Sequence, residues 1–132
     1  MSPNVDLSTP PNTMQPIGPY SHVARVGPFI TIGGTAGVDP RTGKLAGPDV
    51  ASQTRQILAM FDTMLSSAGS DMDHIIHINV FLIDMDDFAP MNAAYIEAMG
   101  ERRPARTAIA VAGLPKPGAR ITMNLTTVRK DA

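Results

Sequence analysis

The sequence lacks cysteine and tryptophan altogether, and only two of its twelve acidic residues are glutamates. Because no thiolate is available, cysteine nucleophiles, disulfides, Cys-rich zinc sites and iron–sulfur clusters are excluded. Any chemistry must therefore use arginine, aspartate, histidine, hydroxyl, amide or backbone groups. A chain of 132 residues can bury one core but is too short for separate cofactor and substrate domains, which excludes most two-domain enzymes.

Neither sign of charge is in excess, since eleven basic residues face twelve acidic ones and the formal net charge is -1. Such a balance gives no electrostatic attraction for a polyanion or an anionic membrane, so nucleic acid is not predicted as a partner. No stretch approaches the roughly 20 apolar residues of a membrane span. The first sixteen residues hold four prolines and no apolar run typical of a signal peptide. We predict a cytoplasmic protein without membrane contact.

Periodicity divides the chain into an arm and one domain. We predict a flexible, Pro-rich N-terminal arm over residues 1–15 and a single domain over residues 16–132. Within the domain, β-prone runs and apolar residues at helical spacing give the element order ββαβαββ. The predicted strands are 21–26, 28–33, 75–83, 107–112 and 119–129, and the predicted helices are 48–68 and 88–99.

This element order predicts an α+β fold with both helices on one face of a mixed sheet. In the strand at 75–83, Ile76, Ile78, Val80 and Leu82 share the face expected to pack on the helices, whereas Ile75 belongs to the opposite, only partly apolar face. That second face would be open in a monomer. We therefore predict that copies of the chain associate through it.

Two of the histidines invite a metal interpretation. His74 and His77 are three residues apart, which places them on opposite faces if both lie on the strand. No third ligand has a recognisable spacing to them, so we predict no metal site. A solvated His74 and an interfacial His77 explain the pair. The acidic run at 84–87 is explained by the start of the second helix.

Arg106 is the strongest candidate for ligand binding. It lies at the start of a predicted strand, directly after a proline-bounded loop. A guanidinium at a sheet edge can hold a carboxylate through two parallel hydrogen bonds. The alternative is an arginine that is solvated or paired with an acid.

Short motifs spread along the chain occur in the order and spacing of one known family. They are Ile17-Gly18-Pro19-Tyr20, Val38-Asp39-Pro40, Gln53-Thr54-Arg55-Gln56, Val80-Phe81-Leu82, Asn92 with Tyr95, Pro104-Ala105-Arg106 and Leu114-Pro115. No single motif is specific, but the combination extends from about residue 15 to residue 129. In this combination the chain resembles the reactive-intermediate deaminase family, also called the YjgF/YER057c/UK114 family.

The resemblance implies a chorismate-mutase-like fold assembled as a homotrimer, with ligand clefts between subunits. It also implies hydrolysis of 2-imino or 2-enamino acids to 2-oxo acids and ammonia. Arg106 would bind the substrate carboxylate, and the residues that would line the cleft or hydrogen-bond the ligand are Tyr20, Gly33, Gly34, Asn92 and Ala108. Imine hydrolysis proceeds unaided in water, so positioning the carboxylate and one water can suffice. No cofactor is predicted.

The chain departs from the family's pattern at three cleft positions. Gly33-Gly34-Thr35 replaces the usual Ser-Gly-Gln, Thr122 replaces a Glu that orients the attacking water, and Asn124 replaces a second common acid. A carboxylate can accept a proton from water, whereas a hydroxyl does so poorly at neutral pH. We therefore assign Thr122 the catalytic role of orienting water. Glu101 either substitutes for the missing acid or is a solvated charge at a helix end.

Two functions remain open. The first is an imine or enamine hydrolase, with an aminomuconate-like catabolic intermediate as one candidate substrate. The second is a non-catalytic trimeric binder that senses small 2-oxo acids through Arg106. The ribonuclease activity also attached to the family's name is not expected, because the chain has no basic patch.

Overall fold

The computed structural model describes residues 4–132. Its strands are β1 (Asp6–Ser8), β2 (Val23–Val26), β3 (Phe29–Ala36), β4 (Val38–Asp39), β5 (Lys44–Leu45), β6 (Ile75–Leu82), β7 (Ala105–Ala110) and β8 (Ile121–Val128). Its α-helices are α1 (Val50–Ala68) and α2 (Phe88–Met99), and short 3₁₀ turns precede β6 and α2. All predicted strands and helices are thus present, and β1, β4 and β5 are additional.

Six strands form one mixed sheet in the order β1-β2-β3-β8-β6-β7. Neighbouring strands are antiparallel except β6 and β7, which are parallel and joined through α2. One core forms between this sheet and the two helices, and its fully buried side chains include Ile32, Phe61, Met91 and Met123. The predicted α+β architecture, with both helices on one face of a mixed sheet, is confirmed.

Helix α1 has a clear signal at each end. The Asp49 carboxylate accepts a hydrogen bond from the Ser52 N–H at 2.9 Å, which caps the helix start. Gly69 follows Ala68 at φ +87°, a left-handed conformation that glycine adopts without strain, and it ends the helix. Within residues 4–132 neither helix is long and apolar enough to cross a membrane.

Residues 6–8 and Met14, within the predicted arm, pack on the domain. Residues 6–8 pair with the short strand β2, whose outer edge would otherwise be unpaired. The Arg25 guanidinium binds the Asp6 carboxylate at 3.1 Å. Met14 is buried, and its carbonyl oxygen lies 2.5 Å from Nε2 of the buried His22. Residues 1–3 of the predicted arm lie outside the described residues.

Strand β6 contains a bulge near its start. Ile75 pairs with Thr127 and His77 pairs with Thr126, so Ile76 is an extra residue in the ladder. A bulge shifts the alternation of side chains by one position. Ile75 is therefore buried and Ile76 is exposed, so the predicted directions of these two side chains are wrong.

The sheet face opposite the helices carries mainly polar side chains. The Asn79 amide donates a hydrogen bond to Asn124 Oδ1 at 2.8 Å, and His77 Nε2 lies 3.0 Å from the Thr107 hydroxyl. Because both helices lie on the other side of the sheet, this face is open in the single chain.

Candidate functional site

Most of the predicted site residues line two surface grooves, and Ala108 lies outside both. The Tyr20 groove has a volume of about 770 Å³, and its lining includes Met14, Tyr20, Gly33, Gly34, Lys116 and Thr122. The Arg106 groove has a volume of about 240 Å³ and is lined by Asn92, Tyr95, Ile96, Arg103, Pro104 and Arg106. The structure therefore brings together two sets of predicted residues rather than one.

Arg106 is held by aromatic rings. It lies on β7 opposite the buried Ile78, at the helix side of the sheet. Its guanidinium carbon is 4.8 Å from the centre of the Tyr95 ring and 5.7 Å from that of Phe88, and both rings belong to α2. No carboxylate of residues 4–132 forms an ion pair with it. The ring faces thus position the guanidinium, while no carboxylate of the described residues occupies its hydrogen-bond donors.

Tyr95 adds an uncharged aromatic wall to the Arg106 groove. Its side chain is 4% exposed, and its hydroxyl has no hydrogen-bond partner among residues 4–132. Burial raises the pKa of the Tyr95 hydroxyl, an effect that the nearby positive charges of Arg106 and Arg103 partly oppose. Tyr95 is therefore neutral at physiological pH.

A β-bulge forms the floor of the Tyr20 groove. Ile32 pairs with Leu125 and Thr35 pairs with Met123, so Gly33 and Gly34 stand opposite one residue of β8. Apart from its two chain neighbours, no atom of residues 4–132 lies within 4 Å of a β-carbon built on Gly34. A ligand can therefore approach the backbone here, which is the usual reason for glycine within a strand.

Thr122 lies beside this bulge and points to the open face of the sheet. It pairs with Ala36 of β3 and Phe81 of β6, between the buried Ile121 and Met123. The groove lining, as far as residues 4–132 form it, contains no aspartate or glutamate. The groove can therefore orient a water through a hydroxyl and backbone groups, but it offers no carboxylate to accept a proton.

Three further candidates lie outside both grooves. Ala108 follows Arg106 by two residues on the same face of β7 and is half-buried. Glu101 is exposed in the turn after α2, so its position favours a solvated charge over a substitute for the missing acid. Asn124 accepts the hydrogen bond from Asn79 on the open face.

Within a single chain the two grooves lie apart, on opposite faces of the sheet. Arg106 pairs with Ile78 and Thr122 pairs with Phe81, three residues further along β6. Three residues of a strand correspond to about 10 Å and to opposite faces of the sheet, and β7 and β8 are two strand spacings apart. Arg106 and Thr122 of the same chain therefore cannot contact one small ligand together.

Met14 and Lys116 are among the residues of the Tyr20 groove that were not predicted from the sequence as site residues. Met14 belongs to the segment predicted as an arm, and no local signal indicates that His22 anchors it. Lys116 lies in the loop between β7 and β8, flanked by Pro115 and Pro117. The Pro-Lys-Pro sequence is the only signal that could have indicated a fixed lysine.

The histidines do not form a metal site with other residues. His74 Nδ1 lies 2.5 Å from the Asp71 carboxylate, and His77 contacts Thr107 on the open face. Within residues 4–132 no group of three or more His, Asp or Glu side chains could hold a metal ion.

Known proteins share this fold and sequence over most of their length. A RutC family protein of Pyrococcus horikoshii is 44% identical over 105 residues, which are 80% of this chain and 83% of that protein. The human 2-iminobutanoate/2-iminopropanoate deaminase is 36% identical over 113 residues, which are 86% of this chain and 82% of that protein. The crystal structure of the YjgF gene product of E. coli has a TM-score of 0.85 and 32% identity, and covers 95% of this chain and 99% of that one.

The family model described as Endoribonuclease L-PSP matches residues 10–128, nearly the whole domain. The family predicted from the motifs is thus confirmed by a match to its model, by relatives and by a shared fold. The chain belongs to the endoribonuclease L-PSP family, which includes the YjgF/UK114 proteins.

Proposed function

We propose that the protein hydrolyses small carboxylated 2-imino or 2-enamino compounds to 2-oxo acids and ammonia. The observation that carries this proposal is the Arg106 guanidinium, which two aromatic rings position and no carboxylate of residues 4–132 neutralises. The name of the human relative, a 2-iminobutanoate/2-iminopropanoate deaminase, supports the same chemistry.

The proposed reaction needs one water and no group outside the substrate and the chain. The water oxygen bonds to the imine carbon and gives up one proton, while the π electrons of the C=N bond move to nitrogen, which takes up one proton. The carbinolamine then collapses: the hydroxyl proton passes through solvent to the amine nitrogen, the C=O bond forms, and the C–N bond breaks to release ammonia. Because the uncatalysed reaction is already feasible, holding the carboxylate and the water in place supplies the acceleration.

Each residue has a role in this proposal. Arg106 binds the carboxylate next to the imine carbon, and Asn92 lines the same groove. Thr122 orients the water by hydrogen bonding, with the Gly33–Gly34 backbone beside it. The imine nitrogen and solvent exchange the protons, since the Thr122 hydroxyl is a poor base.

The complete cleft requires two copies of the chain, because one copy holds Arg106 and Thr122 apart. In the homotrimer implied by the family resemblance, the Arg106 groove of one copy would face the Tyr20 groove of the next. A mixture of two inactive variants tests whether the cleft is shared between copies. An Arg106→Met protein and a Gly34→Trp protein should each be inactive, and refolding them together should restore activity in the clefts that combine two intact grooves. No recovery in verified mixed oligomers would contradict a shared cleft.

The activity is tested with 2-iminobutanoate made in the cuvette by a pyridoxal-phosphate-dependent dehydratase, and with 2-aminomuconate. We expect faster release of ammonia than in buffer for at least one compound. Arg106→Met should lose the acceleration, whereas Arg55→Met should keep it. Arg55 is an exposed arginine paired with Glu97 at 3.2 Å, outside both grooves. Equal rates with and without the wild-type protein would refute the proposal.

A second candidate function is a non-catalytic sensor of small 2-oxo acids. The absence of a carboxylate from the Tyr20 groove within residues 4–132 favours it, because nothing there accepts the proton of an attacking water. A sensor would bind 2-oxobutanoate in calorimetry, lose binding in Arg106→Met, and leave the rate of imine hydrolysis unchanged. A cytoplasmic location and an aminomuconate-like substrate stay predictions under either function.

A further inference from the structure

Lys116 is a cation in the Tyr20 groove that the proposed reaction does not use. It is half-buried and lines the groove together with Tyr20 and Thr122. No carboxylate of residues 4–132 pairs with it. A positive charge in a groove without acids is not cancelled locally, so it attracts an anion.

The backbone that carries Lys116 is fixed on both sides. Pro115 and Pro117 restrict the chain, and the Ala119 N–H donates to the Lys116 carbonyl at 3.0 Å, which closes a tight turn. Gly118 completes the turn at φ +83°. The backbone of this loop therefore has little conformational freedom.

A buried amide ties this loop to helix α1. Gln53 Nε2 donates to the Gly118 carbonyl at 3.2 Å, and Gln53 Oε1 accepts from the Arg120 N–H at 2.8 Å. Gln53 is fully buried, so these bonds are shielded from water. Lys116 thus starts from a defined position, which lowers the entropy cost of holding an anion.

The groove between Lys116 and the glycine bulge has a largely apolar lining. Met14, Ile17, Ala36 and the two flanking prolines contribute to it. A ligand that reaches along this surface would place methylene groups on apolar atoms and a charged end beside the ammonium group.

We propose that Lys116 forms a subsite for a second anionic group, so that the protein prefers dicarboxylic over monocarboxylic 2-imino and 2-oxo acids. This rests on the proposed function, in which Arg106 of a neighbouring copy binds the carboxylate next to the reacting carbon. Lys116 then acts on specificity and not on the bond-breaking step.

The test compares the binding of two stable product analogues, 2-oxobutanoate and 2-oxoglutarate, by calorimetry at one ionic strength. The wild-type protein should bind the dicarboxylate about tenfold more tightly. Lys116→Met should bring the two dissociation constants within about twofold of each other, by weakening only the dicarboxylate. Lys116→Arg should keep the preference. Lys130→Met, which removes an exposed lysine outside the groove, should leave both constants unchanged.

The outcomes separate this subsite from the proposed function. If Arg106→Met loses both ligands and Lys116→Met leaves the wild-type preference intact, Lys116 is not the subsite although the carboxylate site stands. If Lys116→Met loses both ligands equally, Lys116 holds the common carboxylate and the subsite is refuted. If Arg106→Met loses neither ligand, the proposed function itself fails.

Discussion

The guanidinium carbon of Arg106 lies 4.8 Å from the centre of the Tyr95 ring, although one residue is on the edge strand β7 and the other on helix α2. The contact links the proposed carboxylate site to the core, because the Tyr95 ring is buried there. A helix side chain therefore determines where a strand side chain presents its charge.

Two substitutions of Tyr95 should distinguish the contribution of its ring from that of its hydroxyl. Tyr95→Phe keeps the ring face and removes a buried hydroxyl without a partner in residues 4–132, so stability and carboxylate affinity should be retained. Tyr95→Leu removes the cation–π contact, worth about 0.5–2 kcal/mol, and should weaken 2-oxobutanoate binding several-fold. Equal affinities of the Phe and Leu variants in calorimetry would mean that the ring does not position Arg106.

Titration of Tyr95 should occur above the ordinary tyrosine range, since burial raises its pKa. The Tyr20→Phe variant leaves Tyr95 as the only tyrosine, so the ultraviolet absorbance of tyrosinate reports it alone. Its midpoint should lie above that of the denatured chain, which is about 10.

The raised pKa has a consequence for stability at high pH. The folded state holds the Tyr95 proton more tightly than the unfolded state, so its contribution is complete below about pH 10 and is lost as pH rises through the folded-state value. Denaturant unfolding should show a steeper loss of stability above pH 10 for the wild type than for Tyr95→Phe. Parallel curves would argue against a raised pKa.

Alanine substitution should affect binding at Gly34 of β3 and stability at Gly37, the residue directly after this strand. Gly34→Ala adds a methyl group in space that the described part of the chain leaves open, so the thermal midpoint should stay unchanged while 2-oxobutanoate binding weakens. Gly37→Ala would place a β-carbon 2.6 Å from the Gln53 carbonyl oxygen, and the backbone must shift at a cost of about 3 kcal/mol. Loss of folding in Gly34→Ala would show that the open space is used by the fold.

Gln53 should be one of the most sensitive polar positions. Its side chain donates to the carbonyls of Gly47 and Gly118 and accepts from the Arg120 N–H. Gln53→Leu leaves these groups without partners and should destabilise the protein by about 3 kcal/mol. The matched change Gln56→Leu, one turn away on a half-buried residue, should cost less than about 1 kcal/mol. Chemical denaturation measures both, and similar losses would refute the role of the Gln53 bonds.

The helices and strands could be predicted because the spacing of apolar residues within one short segment of the chain indicates which of the two it forms. The apolar stripe of α1 and the β-branched run of β6 gave the correct elements, and Asp49 and Gly69 bound the first of them. The bulge at Ile76 was not predictable, because it depends on the register with β8 rather than on the residues of β6. The candidate site shows the same division. Arg106 could be proposed from its motif, whereas the position of Lys116 depends on a loop that a distant glutamine fixes.

Alternate side chains of strand β8 face the core on one side of the sheet and the open face on the other. Ile121, Met123 and Leu125 fill the core, while Thr122 and Asn124 point to the other face. Substitution of either residue leaves the three core side chains of this strand in place. Alternate positions of this one strand can therefore vary on the open face while their neighbours continue to fill the core.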